Sequence, residues 1–417
     1  MQRANAATNS GGGVSAWRAT LAGLSASLVG IGLARFAYTP LIPALIAAGW
    51  FAPAEAAYLG AANLAGYLAG ALLARRMAQH FSAAFVLRAN MLLATAAFFA
   101  CAVPLPFSWF FIWRFAAGVA GGALMVLAAP TVLAHVPPAR RGLAGGAIFT
   151  GVGLGIAASG TLVPVLLRAG LSATWCGLGA LALALTILAW GGWPAERTSA
   201  PVAPARPTRR PASSRPALQA LYIAYALNAV ALVPHMVFLV DFVARGLERG
   251  IDVGSQYWVL FGLGAVAGPL ITGHVADRIG FGRALRLAFV VQAAAVALPA
   301  ITVGSGALAL SSLVVGAMVP GIVPLVLGRV HELTPHDHQE RQAGWSFATV
   351  AFALGQAAAA YGFSFLFART GGGYAALFAL GAAALMLALA IDLVAATLGR
   401  GTRPSKRSVA GGGRRRR

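Results

Sequence analysis

Apolar residues in this chain do not alternate with polar ones; they run on in long unbroken stretches. No Asp, Glu, Lys or Arg occurs from Phe36 to Ala54, from Ala89 to Trp113, from Gly142 to Leu167 or from Leu287 to Gly328. Each run reaches or approaches the roughly 20 residues that a helix needs to cross a bilayer. Charged and Pro/Gly-rich breaks divide the chain into twelve predicted spans, at about 19 to 48, 54 to 74, 83 to 104, 107 to 134, 142 to 168, 171 to 193, 217 to 244, 254 to 275, 284 to 303, 306 to 330, 341 to 368 and 373 to 398. Between the sixth and seventh lies PAERTSAPVAPARPTRRPASSRPAL, rich in Pro, Arg and Ser and without apolar periodicity, which reads as a flexible linker. The expected organisation is a tail over 1–18, a six-helix bundle over 19–193, a linker over 194–216, a second six-helix bundle over 217–398 and a basic tail over 399–417.

Composition agrees with that pattern. A chain of 417 residues with 59% hydrophobic and 10% charged residues does not match a soluble globular protein. The formal charge of +21 would point to nucleic acid in a soluble protein, so the placement of the basic residues decides its meaning. With both termini on the cytoplasmic side, 25 of the 31 basic residues fall in cytoplasmic loops, linker and tails, and only Arg168, Arg245, Arg249 and Arg369 fall outside. This is the positive-inside pattern of a multi-pass protein, and it leaves no case for a nucleic-acid partner. Arg35 and Arg114 belong to neither group. Lysine occurs once, at Lys406, amid heavy Ala, Gly and Pro usage, which reads as the codon bias of a GC-rich genome; the expected location of the chain is a bacterial inner membrane with both termini cytoplasmic. The tail GTRPSKRSVAGGGRRRR would add attraction to anionic lipid of about 1 kcal/mol per basic residue, though a tail without a specific role is the simpler reading. The apolar run from Leu21 outlasts the core of a cleaved signal peptide and reads as a retained first helix. Cys101 and Cys176 lie in apolar segments and give no disulfide or metal framework.

The two halves echo each other. GALLARR, Gly70 to Arg76, faces GHVADRIGFGR, Gly273 to Arg283, with Gly70 against Gly273 and Arg75 against Arg278. RFAAG, Arg114 to Gly118, faces SLVVG, Ser312 to Gly316, with the C-terminal spacing shorter by about one helical turn. GHVADRIGFGR also resembles the loop signature G-x-x-x-D-R-x-G-R-R of the major facilitator superfamily, with Phe281 and Gly282 in place of the two arginines and Arg283 one position late. The resemblance implies a conformational latch at Gly273, Asp277, Arg278, Gly280 and Arg283. In the N-terminal half Ala74 takes the acid position and Met77 that of the following glycine, so the usual latch is not expected there. RFAAGVAGG resembles the superfamily's buried-arginine motif and places Arg114 on the cavity side. GGAIFTGVGLGIAASG puts Gly151, Gly155 and Ser159 on one helix face, but lacks the Gly-Pro pair of drug/proton antiporters, so efflux has no support. GIGLARFAYTPLIPAL, AAYLGAANLAGYLAG and VPHMVFLVDFVARGL are similar to the YbfB/YjiJ-like branch. That similarity covers all twelve spans and implies an all-α integral membrane fold of two six-helix pseudo-repeats with a transport role; it names no substrate.

An arginine in mid-bilayer costs about 2.5–3.5 kcal/mol, so Arg35 and Arg114 are expected to face protein or a cavity. The only acid before the linker is Glu55, at the outer mouth of the second span, so neither arginine has an internal carboxylate partner. Two roles are open to each. Either binds an anionic group of the substrate in its planar fork, or each braces helices through backbone carbonyls, hydroxyls and Tyr38. Thr39, Pro40 and Pro43 follow closely and are expected to kink the first span and free carbonyls. Asn63 and Tyr67 form a polar pair one turn apart. In span seven Tyr225, Asn228 and His235 share a face, and His235 is a candidate for proton coupling because imidazole titrates near neutral pH. Asp241, near the outer end, is a second candidate; a solvated helix end is its plainer reading. Trp345, Thr349, Phe352 and Gln356 follow helical spacing in span eleven and are expected to line the cavity, with core packing favoured for Phe352. Asp392 reads as a side chain reaching the cytoplasmic interface.

HELTPHDHQER, His331 to Arg341, has too little ligand context for a metal site. No nucleophile elbow, phosphate-binding loop or buried carboxylate pair points to catalysis. The expectation is therefore a monomeric, non-enzymatic transporter without metal or cofactor. It would move a small anionic organic solute by alternating access around Arg35, Arg114, Asn228 and His235, with proton coupling an open possibility. The alternatives are an exporter of neutral or hydrophobic compounds with structural arginines, and a membrane sensor or enzyme.

Overall fold

The computed structural model describes residues 15–137, 140–194, 215–334 and 338–401; nearly all of the linker and both tails lie outside them. Among the described residues all regular elements are helical, and twelve are long and apolar enough to cross a membrane. They are α1 (Ala16–Ala47), α2 (Pro53–His80), α3 (Ala83–Ala100), α4 (Phe107–Leu133), α5 (Ala144–Leu167), α6 (Leu171–Ala189), α7 (Pro216–Gly246), α8 (Gly250–Ile279), α9 (Phe281–Ile301), α10 (Ser305–Leu333), α11 (Ala343–Arg369) and α12 (Tyr374–Leu398). Each coincides with a predicted span. Helix α2 runs six residues beyond its predicted end because Arg75 and Arg76 do not terminate it; Arg76 lies on its exposed side, where a long side chain reaches polar surroundings without unwinding the backbone.

In a bilayer the hydrophobic effect does not draw helices together, so close packing must come from small residues. Helix α2 crosses α4 where a Cβ on Gly66, Gly70 or Gly118 would strike the carbonyl of Phe115, Val119 or Asn63. Helix α8 crosses α10 in the same way, with Gly264, Gly268 and Gly316 against the carbonyls of Leu313, Ala317 and Phe261. The step from 66 to 264, from 70 to 268 and from 118 to 316 is 198 residues each time. This constant register supports the pairing of Gly118 with Gly316 and corrects that of Gly70 with Gly273: Gly70 corresponds to Gly268. The apparent one-turn discrepancy between the halves disappears.

At the same register Ser82 corresponds to Gly280. Both precede the helix that follows, Ser82 with its Oγ accepting from Phe85 N at 3.2 Å and Gly280 with φ of 84°. The N-terminal counterparts of Asp277 and Arg278 are thus Gln79 and His80, not Ala74 and Arg75. Arg88 and Arg286 also correspond. Arg88 Nε donates to Trp190 O at 3.0 Å and Arg286 Nε to Asp392 Oδ2 at 2.5 Å, each tying the third helix of its half to the sixth. Asp392, expected to reach the interface, is instead a buried ion-pair partner.

The halves meet along α1 with α7, α2 with α11 and α5 with α8. The contacts on these lines run from mid-bundle to the face opposite the one where α1 begins. They include Thr39 with Met236, Gly60 with Val237, Tyr58 with Tyr361, and Ser159 with Trp258.

Candidate functional site

Helix α1 is not continuous. Residues Leu28–Leu33 take the wider π-helical turn, and 34–37 form a turn before α-helix resumes at Tyr38. Pro40 explains the break, because it has no N–H to offer the Phe36 carbonyl. That carbonyl takes the Thr39 N–H instead, at 3.3 Å. The expected kink is therefore present, and Arg35 stands in it.

The break divides the work between the two arginines. Arg114 is 3% exposed; its Nη1 donates to Ala34 O at 2.8 Å and its guanidinium lies 4.2 Å from the centre of the Tyr38 ring. It braces the interrupted backbone of α1 from α4, while its Nε is buried without a hydrogen-bond partner. Arg35 is half-buried and has weaker company. Its Nη2 points at Met236 Sδ at 3.8 Å, its guanidinium lies 5.1 Å from the ring centres of Phe36 and Tyr67, and its Nε has no partner. A thioether and two ring faces are poor compensation for a partly desolvated cation beside what a carboxylate supplies.

Both arginines line one narrow gap, with Tyr38, Thr39, Asn63 and Met236 among its other walls and no carboxylate. Tyr38 Oη donates to Ala56 O at 2.9 Å, and Asn63 Nδ2 donates to Arg114 O at 3.1 Å. Tyr67 joins the site as a floor for Arg35. The N-terminal candidates thus come together.

The C-terminal half enters through a residue that the sequence did not single out. Met236 sits in a π-helical turn, Pro234–Phe238 of α7. Its sulfur faces Arg35 from one side and Gln356 Nε2, at 3.5 Å, from the other, while its carbonyl accepts from Thr39 Oγ1 at 2.5 Å. The available signal was Pro234, which deforms α7 as Pro40 deforms α1. Gln356 therefore reaches the site, but only through Met236.

Of the other C-terminal candidates, Asn228 and His235 do not converge on Arg35. Asn228 Nδ2 donates to Gln292 Oε1 of α9 at 2.7 Å, and His235 Nε2 bonds Ser311 Oγ of α10 at 2.8 Å with its ring edge-on to Phe378. Both are fully buried inside their own half. The expected wall of Arg35, Arg114, Asn228 and His235 is thus divided between two places, because the face shared by Asn228 and His235 turns toward α9 and α10. Tyr225 packs on Phe352, with ring centres 4.6 Å apart, and Trp345 is half-buried. Asp241 is no solvated helix end: it is 2% exposed, paired with Arg245 through Nε at 2.5 Å and Nη2 at 2.7 Å, and accepts from Tyr374 Oη at 2.6 Å.

In the expected latch, Asp277, Arg278 and Arg283 are exposed, and Gly273 has open space where a Cβ would stand. The loop is held by Glu332 of α10, which accepts from Phe281 N at 3.2 Å and pairs with Arg329 at 2.8 Å. Among the described residues no three His, Cys, Asp or Glu side chains converge as a metal site; part of HELTPHDHQER lies outside them.

Twelve spanning helices in two matched halves, with a basic gap where the halves meet, define a membrane transporter of the major facilitator type. The chain belongs to the family described as "uncharacterised MFS-type transporter YbfB", whose model matches residues 27–393. Its fold is similar to the crystal structure of a bacterial homolog of the human lysosomal transporter Spinster, in an inward-facing and unoccupied conformation, with a TM-score of 0.62 at 14% identity over 92% of this chain and 95% of that one. A search of curated proteins returns no match.

Proposed function

We propose that this transporter moves a small organic anion, held by Arg35 in the gap between the halves, by alternating access. One observation carries the reading: Arg35 brings a guanidinium into a membrane-embedded gap without a carboxylate, where only a sulfur and two ring faces attend it. A carboxylate or phosphate on the solute would supply the missing partner bidentately. Arg114, already bonded to Ala34 O, serves mainly as the brace that keeps the break in α1 open.

The six-helix halves, 19–193 and 217–398, would rock about this gap. With the contacts of Thr39, Gly60 and Ser159 closing one end, the gap is reached from the face where α1 begins, which the distribution of arginines assigns to the cytoplasm. Of the two proton-coupling candidates Asp241 is the better placed. Protonating it would release Arg245 and Tyr374 near the closed end, whereas His235 is enclosed by Ser311 and Phe378.

The test is uptake by proteoliposomes of a panel of organic anions and neutral solutes, with and without a pH gradient, comparing native protein with Arg35→Gln. Saturable anion flux reduced at least about tenfold by the substitution is expected, from loss of a charge-assisted hydrogen bond. Anion flux that Arg35→Gln leaves unchanged, or transport confined to neutral solutes, sinks the proposal. A flux indifferent to the gradient removes proton coupling.

A further inference from the structure

We propose that the anion carries a neutral hydrogen-bond donor, a hydroxyl or an amide N–H, close to its charged group, and that Asn63 is the residue that reads it. This rests on the anion reading given above. Asn63 is 2% exposed, and its Nδ2 is committed to Arg114 O at 3.1 Å. That bond fixes the orientation of the amide, because turning it over would set one carbonyl oxygen against another. Oδ1 is therefore the free end, buried and without a partner in the wall of the gap that holds Arg35.

The gap cannot satisfy this acceptor from its own hydroxyls. Thr39 Oγ1 is given to Met236 O and Tyr38 Oη to Ala56 O, and the unpartnered Nε–H groups of Arg35 and Arg114, in the same lining, do not bond it. A second buried acceptor, Gln356 Oε1, is also unpartnered and belongs to the residue that faces the far side of the Met236 sulfur from Arg35. Buried acceptors without donors are costly; Asn228 Oδ1 is another, enclosed in the C-terminal half, and what distinguishes Asn63 is its place in the lining of the gap that holds Arg35. The sign of the donor's charge follows from the lining: two guanidinium groups and no carboxylate oppose an ammonium group. A hydroxy acid or an amide-bearing acid meets both demands, anion toward Arg35 and donor toward Asn63; an amino acid zwitterion meets only one.

Two matched series test this on the purified full-length protein: propionate, lactate and alanine, and phenylacetate, mandelate and phenylglycine. Each is titrated by equilibrium binding and used as a competitor in the uptake assay. The hydroxy acid of at least one series is expected to bind roughly ten- to a hundredfold more tightly than its deoxy partner, and more tightly than the amino acid. In Asn63→Leu the hydroxy-to-deoxy ratio should fall to within about twofold; a ratio taken within one preparation does not depend on how much of it is folded. Asn63→Asp keeps an acceptor oxygen, so there the ratio should persist while overall anion affinity drops. Equal binding of hydroxy and deoxy acids that is lost in Arg35→Gln overturns the inference and leaves the anion reading standing. A preference that survives Asn63→Leu removes Asn63 as the reader. Binding of neither series in an Arg35-dependent manner overturns the anion reading itself.

Discussion

Two arginines that look alike in the sequence do different work, and the difference lies in what each nitrogen touches. Arg114 bonds a carbonyl that the kink in α1 releases, while Arg35 faces a sulfur. Met236→Leu probes that contrast. The swap nearly conserves volume, so it should cost less than about 1.5 kcal/mol of stability in a detergent melt. It also removes the competing partner of Arg35 and Gln356, and anion affinity is expected to rise about two- to fivefold; a fall would mean that the sulfur touches the solute. At the other end of α7, Asp241→Asn should destabilise by about 1–3 kcal/mol in the same melt. That is less than the 3–5 for breaking a fully buried pair, since Arg245 is 29% exposed. No change in Tm would show the pair to be dispensable. The isolation of Arg35 and Arg114 from acids was legible in the sequence, because Glu55 is the only acid before the linker. Their division of labour was not, since it depends on which carbonyl a kink presents to which neighbour.

At the scale of elements, prolines and glycines set the geometry. Pro40 and Pro234 each accompany a deformed turn, and Thr39, where α-helix resumes after the first, bonds Met236 in the second across the halves. Small residues do the rest. Gly70 and Gly268 occupy equivalent crossings, each facing a backbone carbonyl that cannot move aside. Gly70→Val and Gly268→Val should therefore be comparably damaging, each separating its helix pair and lowering the yield of monodisperse protein several-fold on size exclusion. Gly273→Ala, with open space around its Cβ, should behave as native. If Gly273→Ala failed while Gly268→Val was tolerated, the register of 198 residues would be wrong. The sequence showed the echo between the halves but aligned it through the loop motif, five residues out of register, because a motif marks chemistry while a helix crossing marks backbone approach.

At the scale of the molecule, the two halves hold each other along one end of the bundle. A Cβ on Gly60 would stand 3.3 Å from a Val237 methyl, close enough that the pair Gly60→Cys/Val237→Cys is expected to form a disulfide under mild oxidation. Cross-linking should arrest uptake, and reduction should restore it, because alternating access requires these surfaces to part. Uptake that persists at full cross-linking would show that the α1–α7 contact does not open during transport.

The sequence by itself determined the number of spans and the existence of two repeated halves, and it gave each loop an expected side. Those properties follow from hydropathy, charge placement and length, which act locally and need no knowledge of neighbours. It also exposed Arg35 and Arg114 as charges that no loop accounts for. Only the tertiary structure decided that Asn228 and His235 turn toward α9 and α10, that Met236 links the halves, and that Asn63 leaves a bare acceptor beside Arg35. The reason is physical: helical spacing fixes which residues share a face, but the rotation of that face is set by glycine contacts and kinks between helices distant in the chain.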